Sequence, residues 1–490
     1  MITLLQDSPS SLPMKFDLVI VGTGASGISL ALSLMKSGLK IGIFEGGLLD
    51  RSVWSQSLYR GDLRMSESQS YPPLDEWRLR YFGGTTNHWG GWCRPMEKNV
   101  FRARPGVADT AWPFDQSHLV PFYQQAHSIC QLGRYEYDSK ALCRAAGVAE
   151  PFQESEIIKP AVWRYSKPTR FGLEYRSLLE NSDIRIFLDA NLSELHFRDD
   201  SISGASFTTS GRVRRRIETT KLVLACGGIE NTRQLLLAEK NGMPQLRRSG
   251  LLGSGFMEHP HQIVGQVLDL APGTDSPDPL IAAFWYPHDE DGTPFRVGTT
   301  LTEDALRALR ISNVSFTLDK PSYEGESTSG SAVKHLWGAI SGGSTRVLDI
   351  FARSEQLPNR NSRISLSKDT DPLGLARVQL DWRLSADDLR AIEIAWDATS
   401  RELLRMGFGP TRTIPVEQRN PVEGGAHHMG GTTMHESPEH GVVDENMMVH
   451  GVHGLYVSGS SVFPTGCFSN PTLTIVALAI RLGQHLIDAW

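Results

Sequence analysis

The N-terminal segment has the apolar pattern of a strand, a helix and a second strand. The run Phe16–Val21 is apolar at almost every position, which is typical of a parallel strand buried on both faces. A glycine-rich turn follows, and apolar residues then recur at helical spacing at Ile28, Ala31, Leu32 and Met35. We expect this helix to end at Gly38 and a second strand to cover Leu39–Phe44. The segment therefore predicts one βαβ unit.

Two later segments carry further strand and helix patterns. Short alternating runs between Ile184 and Ala225, separated by turn residues, predict a small β-meander. Its last run, Lys221–Ala225, predicts another buried strand. Near the C-terminus, Leu455–Ser458 predicts the final strand, and the final helix is expected to begin near Asn470. Related elements thus lie at both ends of the chain and in its middle.

Composition and charge are typical of a globular protein that does not bind nucleic acid or membranes. The 490 residues are 40% hydrophobic and 21% charged, as in soluble globular proteins. The 49 basic and 55 acidic residues give a net charge of −6, so nucleic acid and anionic membranes are not expected partners. The basic run Arg212–Arg216 is interpreted as one solvated face of a strand. Five scattered cysteines fit reduced thiols, and we find no signal-peptide pattern or membrane span, so we expect a cytoplasmic protein.

The turn after the first strand matches a dinucleotide-binding pattern, G-x-G-x-x-G, at Gly22, Gly24 and Gly27. The first glycine makes the tight turn, the second lets the backbone approach a pyrophosphate, and the third lets the helix pack on the strand. Glu45 ends the second strand, where a carboxylate accepts ribose hydroxyls and repels a 2′-phosphate. This pattern predicts a dinucleotide site and argues against NADP, but it does not distinguish FAD from NAD.

Three further segments resemble one known family. Gly83–Trp89 (GGTTNHW), Gly228–Arg233 (GIENTR) and the stretch His428–Thr474 are similar to the glucose–methanol–choline oxidoreductases, and most similar to pyranose oxidases. The resemblance implies FAD as cofactor and oxidation of an alcohol to a carbonyl by hydride transfer to the flavin. It also implies an α/β fold with a Rossmann-like FAD-binding domain and an inserted α+β substrate domain with an antiparallel sheet.

The domain limits follow from where these motifs lie. Segments between the motifs are rich in Pro, Gly and Ser and are interpreted as insertions that build the substrate-binding domain. We expect a discontinuous FAD-binding domain of residues 1–111, 188–261 and 422–490, and a substrate-binding domain of residues 112–187 and 262–421. Within the second domain, Ser322–Ser331 is interpreted as a surface loop.

The resemblance also implies which residues touch FAD. They come from the glycine turn, the two glycine-rich segments and the C-terminal stretch: Gly22, Gly24, Ala25, Ser26, Gly27, Glu45, Gly84, Thr85, His88, Trp89, Gly228, Gly459, Ser460, Pro471 and Thr472. A helix that begins beside Pro471 would direct its positive end at the flavin and stabilise the anion formed on reduction. Gly459 stands where much of the family has an aspartate, so the group that caps this end of the cofactor is open, with Ser460 as one candidate.

Alcohol oxidation needs a base for the hydroxyl proton and a donor that holds the substrate oxygen. The stretch Ala426–Thr432 (AHHMGGT) resembles the family's His-x-x-Gly-Thr motif, which selects His428 rather than His427 as the base. Asn470 occupies the partner position, although Asn before Pro is also an ideal helix N-cap. A core histidine is the alternative for His428. A metal cluster is another, but the nearby histidines have no recognisable ligand spacing, so no metal is expected: His435, His440, His450 and His453.

His88 stands where some members of the family attach the flavin covalently. The alternative is that His88 and Trp89 pack beside a flavin that is bound without a covalent bond. The aromatic run Trp89–Trp92 (WGGW) is either a stacking platform for a ring of the substrate or part of the core.

The sequence favours an FAD-dependent oxidoreductase acting on an alcohol, with a sugar or glycoside secondary hydroxyl as the expected substrate. Its expected electron acceptor is O₂ or a quinone-like carrier. Two alternatives keep the glycine turn but change the chemistry. One is a non-redox flavin-containing lyase of the same fold, and the other is an NAD-linked dehydrogenase.

Overall fold

The computed structural model describes residues 1–8, 14–104, 111–151, 155–247, 249–269, 286–319 and 346–490. The predicted surface loop Ser322–Ser331 lies outside these residues. Ten α-helices lie within the described ranges: α1 (Ala25–Leu34), α2 (Val53–Ser57), α3 (Gln116–Cys130), α4 (Ser139–Ala146), α5 (Phe171–Glu174), α6 (Arg176–Glu180), α7 (Gly228–Lys240), α8 (Glu303–Leu309), α9 (Ala386–Arg405) and α10 (Thr472–Asp488). None of these described helices is long and apolar enough to cross a membrane.

The described ranges also contain 22 strands. They are β1 (Ile2–Leu4), β2 (Met14–Lys15), β3 (Leu18–Val21), β4 (Ile41–Phe44), β5 (Gly61–Arg64), β6 (Gln69–Ser70), β7 (Trp92–Cys93), β8 (Ile158–Tyr165), β9 (Arg185–Leu188), β10 (Asn191–Arg198), β11 (Ser201–Thr208), β12 (Arg214–Glu218), β13 (Lys221–Leu224), β14 (Pro260–Asp269), β15 (Phe295–Leu301), β16 (Val314–Asp319), β17 (Arg346–Ser354), β18 (Arg363–Thr370), β19 (Ala376–Asp381), β20 (Thr411–Thr413), β21 (Val422–Gly424) and β22 (Leu455–Val457).

A six-stranded parallel sheet in the order β1-β9-β4-β3-β13-β22 forms the first domain. Its inner strands are apolar along their whole length and fully buried, as parallel strands covered on both faces must be. The helices α1 and α10 pack so closely that a Cβ at Gly483 would lie 2.0 Å from the Ser33 hydroxyl. The βαβ unit predicted from the apolar pattern is therefore confirmed.

Within the range of the predicted meander, β10, β11 and β12 form an antiparallel set, which β2 extends as a parallel partner of β12. The first strand of that range, β9, instead belongs to the parallel sheet, between β1 and β4. It packs on the parallel sheet through aromatic rings, with Phe207 stacked 4.2 Å from Phe44. Arg214 and Arg216 of β12 are exposed, so the basic run is a solvated strand face, as expected. The predicted strand Lys221–Ala225 belongs to the parallel sheet as β13.

The second domain is built on a nine-stranded, mostly antiparallel sheet in the order β6-β21-β14-β17-β16-β15-β8-β7, with β20 beside β14. The long helix α9 covers part of it, and its Trp396 is buried against Phe316. A Cβ at Gly265 would lie 2.5 Å from the Trp396 ring, so a glycine in β14 permits this approach. A smaller sheet, β18-β19-β5, completes the fold. The expected two-domain α/β architecture with an antiparallel substrate-side sheet is thereby confirmed.

The structure changes one local expectation. Helix α1 ends at Leu34 rather than at Gly38, because the amide of Ser37 turns back to the carbonyl of Leu34 at 3.0 Å. Gly38 then takes a left-handed conformation, with φ of 76°, after that turn. The predicted domain limits remain a prediction. Strand β9 runs across the limit drawn at residue 188, and several strands of the antiparallel sheet come from ranges assigned to the first domain.

Candidate active site

The glycine turn joins β3 to α1 and leaves one side open. Gly22 has φ of 102°, and a Cβ there would lie 2.6 Å from the carbonyl oxygen of Ala225. A Cβ at Gly27 would lie 2.0 Å from the carbonyl oxygen of Gly22, so this glycine lets the helix pack on the turn. A Cβ at Gly24 meets no atom within 4 Å. The backbone at Gly24 is thus open to a ligand, which is the geometry that a pyrophosphate needs.

Glu45 closes the turn from the end of β4. Its Oε2 accepts hydrogen bonds from the Thr23 amide at 3.0 Å and from the Thr23 hydroxyl at 2.6 Å, and its Oε1 accepts one from the Gly47 amide at 2.8 Å. The Thr23 hydroxyl in turn accepts a bond from the amide of Gly83 at 3.2 Å. This network fixes the carboxylate and ties the first glycine-rich segment to the turn.

One cavity of about 670 Å³ runs from this turn to the two adjacent histidines. Every site residue predicted from the sequence lines it except Gly27, which packs beneath the turn. Its walls also contain several residues that the sequence analysis did not select: Thr23, Tyr59, Pro72, Glu76, Trp77, Arg78, Cys226 and His427. A volume of this size is within the range of cofactor and ligand sites.

The residues of the cavity fit FAD. Helix α1 begins after Gly24 without a capping side chain, so its first amide groups are available to a phosphate. Helix α10 likewise begins without a side-chain cap, and Thr472 at its first turn lines the same cavity. One end therefore offers donors to a pyrophosphate and the other places a helix N-terminus beside the two histidines.

The second and third motif segments are held together by Asn231. Its side-chain oxygen accepts a bond from the Cys226 amide at 2.8 Å, and its nitrogen donates to the Ser458 carbonyl at 3.1 Å. The adjacent Gly459 has φ of 138°, a conformation that residues with a side chain rarely adopt. The Ser460 hydroxyl donates to the carbonyl of His428 at 2.6 Å, so its proton is engaged within the protein.

The structure pairs Asn470 with His427 rather than with His428. The side-chain nitrogen of Asn470 lies 3.2 Å from Nε2 of His427. The His428 ring instead lies between Tyr71 and Phe256, and its Nε2 is 3.6 Å from the Glu258 carboxylate. Consecutive side chains of an extended segment point to opposite sides, so only one of two adjacent histidines can reach Asn470. The motif-based choice of His428 as the partner of Asn470 is therefore not what the geometry shows.

Asn470 does not act as the helix cap that its position before a proline predicts. Helix α10 has Pro471 as its first flanking residue and no side-chain capping bond. The carbonyl of Pro471 accepts the first helical bond, from Ile475 at 2.9 Å. Within the described part of the chain, the buried side-chain oxygen of Asn470 has no hydrogen-bond partner. The amide is therefore directed to His427 and into the cavity.

Burial dominates the electrostatics of the site. It lowers the pKa of His428 to about 3, with a smaller effect from the Arg78 cation. The pKa of His427 is also held well below its usual value, by burial first and then by the neighbouring histidines His259 and His261. Burial raises the pKa of the Glu258 carboxyl to about 7. Both adjacent rings are thus neutral near neutral pH.

Sequence reasoning missed the group that surrounds these rings, Glu258, His259 and His261, which come from Met257–His261 (MEHPH) at the start of β14. Glu258 accepts hydrogen bonds from the His427 amide at 2.8 Å and from the Tyr71 hydroxyl at 2.6 Å. The sequence does contain a sign of this group, since three of the five residues of Met257–His261 are ionisable and the segment leads into a strand. Three of the C-terminal histidines lie together elsewhere. The rings of His435 and His440 are 5.2 Å apart between centres, and the His450 ring contacts the His435 carbonyl at 2.8 Å. In the described residues no group of three or more ligands is arranged for a metal.

The aromatic run contributes to the cavity at both ends. Trp89 and Trp92 line it, and Trp89 also packs edge-on against Phe171 while its ring nitrogen donates to the Thr169 carbonyl at 2.8 Å. Trp92 lies 4.9 Å from the Tyr165 ring. Both tryptophans therefore pack against neighbouring aromatic rings and also form part of the cavity wall. His88 is an exposed residue of the cavity wall, and partial desolvation of its ring lowers its pKa.

Comparisons with known families agree with this arrangement. Residues 17–248 match the FAD binding domain family, and residues 358–479 match the C-terminal domain of the GMC oxidoreductases. The first match contains the glycine turn and the second contains His427 and Asn470. These matches select FAD over NAD as the cofactor.

Similar proteins extend over almost the whole chain. Paromamine 6′-oxidase of Streptomyces fradiae is 24% identical over 95% of this chain and 90% of that protein. The fructose dehydrogenase large subunit of Gluconobacter japonicus is 25% identical over 97% of this chain and 98% of that protein. C-glycoside 3-oxidase of Microbacterium trichothecenolyticum is 33% identical, but over 26% of this chain and 25% of that protein.

A solved structure shares the fold. Pyridoxine 4-oxidase from Mesorbium loti superposes with a TM-score of 0.60 at 15% identity, over 96% of this chain and 98% of that chain. At this identity the likeness concerns architecture alone. Taken with the family matches, the chain carries an FAD-binding domain and a GMC oxidoreductase C-terminal domain, and it is an FAD-dependent oxidoreductase acting on CH–OH groups.

Proposed function

We propose that this enzyme oxidises a secondary hydroxyl of a sugar or glycoside-like substrate to a carbonyl, in the manner of the pyranose oxidases. The observation that carries the proposal is the pair formed by His427 Nε2 and the Asn470 side-chain nitrogen, 3.2 Å apart in the wall of the cofactor cavity. The names of several relatives support a carbohydrate-type substrate, since they include a fructose dehydrogenase and a C-glycoside 3-oxidase. A histidine–asparagine pair, rather than two histidines, supports the likeness to pyranose oxidases.

In this proposal His427, not the His428 selected by the motif, is the base. A substrate hydroxyl that enters between His427 and Asn470 gives its proton to Nε2 of the histidine. The side-chain nitrogen of Asn470 then donates a hydrogen bond to the substrate oxygen, which carries the developing negative charge. Bound FAD supplies the flavin that accepts the hydride from the carbon. His428 is assigned a packing role, because its ring faces Glu258, Tyr71 and Phe256.

The experiment is an anaerobic screen of flavin reduction with sugars, glycosides and aromatic alcohols. We expect a sugar or glycoside to bleach the flavin stoichiometrically, whereas a non-redox lyase would leave it oxidised with every alcohol. With the best substrate, His427→Ala should slow flavin reduction by ~10²-fold or more while FAD stays bound. The matched control is His428→Ala at the adjacent position, which should retain the larger share of the rate. The assignment of the base fails if the two variants behave in the opposite way.

Covalent attachment of the flavin to His88 remains a prediction. The ring lies in the cavity wall, which supports His88 as a residue in reach of the cofactor. Acid precipitation decides the matter, because yellow colour left in the supernatant means that the flavin is not covalently bound. The acceptor, O₂ or a quinone-like carrier, and the cytoplasmic location likewise remain predictions.

A further inference from the structure

His259 connects the proposed base to a backbone carbonyl. It lies directly before β14, and only 1% of its surface is exposed. Its Nδ1 is 2.8 Å from Nδ1 of His427, and its Nε2 is 3.1 Å from the carbonyl oxygen of Gly466. The two rings meet edge to face, with an interplanar angle of 71°. Two histidines and one carbonyl therefore form a continuous chain of hydrogen bonds that ends at Asn470.

The carbonyl determines where the protons of this chain lie. A carbonyl oxygen can only accept, so Nε2 of His259 must carry a proton. Burial lowers the pKa of His259 to about 4, so the ring is neutral near neutral pH and its Nδ1 is an acceptor. A hydrogen bond at 2.8 Å then requires that Nδ1 of His427 carries the donated proton. Since the His427 ring is also neutral, its Nε2 carries the lone pair that faces the side-chain nitrogen of Asn470.

We propose that His259 is a positioning residue that holds His427 in the tautomer with its proton on Nδ1, so that Nε2 faces the cavity as a base. The inference rests on the proposed role of His427 in proton abstraction. It explains why two neutral histidines are buried in contact, although burial of an unpaired polar ring costs free energy.

Without His259, the opposite tautomer becomes available. In that tautomer the proton on Nε2 of His427 would face the donor nitrogen of Asn470. Rotation of the Asn470 amide would remove this conflict, because it would place the side-chain oxygen there instead, and that oxygen has no hydrogen-bond partner among the described residues. The pair His427–Asn470 can thus satisfy itself in an orientation without a base. The bond from His427 to His259 removes this alternative, because Nδ1 of His259 accepts only from a protonated Nδ1.

The other groups around His427 do not supply this constraint. The His261 ring is 5.9 Å away between ring centres, and Glu258 accepts from the backbone amide of His427 rather than from its ring. His428 and the Arg353 cation act on His427 only through their charge. In the described part of the chain, the His259 ring is the acceptor within hydrogen-bond distance of Nδ1.

His259 provides an acceptor at Nδ1, the volume of its ring, and a hydrogen bond from Nε2 to the Gly466 carbonyl. Three substitutions at this position test these contributions separately. In His259→Asn the side-chain oxygen takes the place of Nδ1, so the acceptor is kept. His259→Phe keeps the ring and removes both nitrogens. His259→Gln can still donate to the Gly466 carbonyl but places no acceptor at the position of Nδ1. Each variant is purified as the holoenzyme, and its FAD content and Tm are measured before the anaerobic rate of flavin reduction.

We expect His259→Phe and His259→Gln to slow flavin reduction at saturating substrate by roughly 10- to 100-fold, with little change in KM, and His259→Asn to restore most of the rate. The acid limb of the pH–rate profile should shift in the two slow variants, since His259 contacts the His427 ring directly and contributes to its pKa. If one of the two fails to fold, the other still tests the proposal.

The proposal is overturned if His259→Phe or His259→Gln reduces the flavin at the wild-type rate. It is also overturned if all three variants are equally slow with an unmoved acid limb, because His259 then has only a structural role. His427→Ala, assayed alongside, separates the two levels of inference. A wild-type rate in His427→Ala would overturn the proposed function itself, whereas a slow His427→Ala with fast position-259 variants would overturn only the role of His259.

Discussion

Lowering the pH from 7 to 5 should destabilise this protein strongly, because it buries five neutral histidines. Burial lowers the pKa of His127 and His259 to about 4 and that of His428 to about 3, and it holds His261 and His427 well below the ordinary value of 6.5. In the unfolded chain these rings take up protons as the pH falls through 6.5, whereas in the folded state they do not. Stability is therefore lost between pH 6.5 and about 4.

The size of the effect follows from the width of that window. His127, His259 and His428 have pKa values of about 4 or below in the folded state. The protons that only the unfolded chain binds at pH 5 therefore lower the free energy of unfolding by about 2 kcal/mol for each of these three rings, or about 6 kcal/mol together. His261 and His427 act in the same direction. Glu258 acts in the opposite direction. Its pKa is raised to about 7, so between pH 7 and 5 the folded state binds a proton that the unfolded state does not bind. This increases the free energy of unfolding by about 2 kcal/mol. The net loss from these four groups, roughly 4 kcal/mol, is a large part of the stability of a typical domain.

The assay is thermal unfolding of the holoenzyme at fixed FAD concentration, followed by release of flavin fluorescence at pH values from 8 to 5. We expect Tm to fall steeply below pH 6.5. His127→Gln is the matched control, because His127 lies outside the cavity and bonds to Gly133 and Tyr137. Removing one ring should reduce the pH slope by about 1.4 kcal/mol per pH unit. A Tm that stays constant from pH 7 to 5 would refute the reasoning.

The glycines allow further predictions. Gly27→Ala should give a protein that is depleted in FAD and has a lower Tm, since the new Cβ would lie 2.0 Å from the Gly22 carbonyl. In Gly24→Ala the Tm of the apoprotein should stay close to that of the wild type, because the new Cβ meets no atom within 4 Å. The same Cβ should weaken FAD binding by ~10-fold or more in a titration, because it lies where the backbone approaches the pyrophosphate. Gly459→Asp should not create the family's cofactor contact but lower Tm, because a backbone at φ of 138° costs a side chain about 1–3 kcal/mol. Equal FAD affinity in Gly24→Ala and wild type would contradict the pyrophosphate assignment.

Four of the six strands of the parallel sheet, β3, β4, β13 and β22, could be predicted from the sequence, whereas β1, β9 and the antiparallel sheet could not. Strands such as Leu18–Val21 and Ile41–Phe44 are covered on both faces, so burial alone makes them uniformly apolar and visible in the sequence. In the second sheet, the two residues of Gln69–Ser70 pair with Val422–Gly424, more than three hundred positions away. A strand of two residues has no periodicity, and its partner is set by the tertiary fold rather than by its own side chains.

The choice between His427 and His428 shows the same limit at the level of the site. A linear motif can bring two adjacent histidines to the cavity, but their side chains diverge, and the residues that select between them are Glu258 and His259, about 170 positions earlier in the chain. Asn470 repeats the point, since a local rule predicts a helix cap while a tertiary contact with His427 takes its amide. The identity of the base is thus a property of the contact between the C-terminal motif and the segment that leads into β14. A segment of this kind, rich in ionisable residues beside a buried strand, is where a sequence-based search for positioning residues should look.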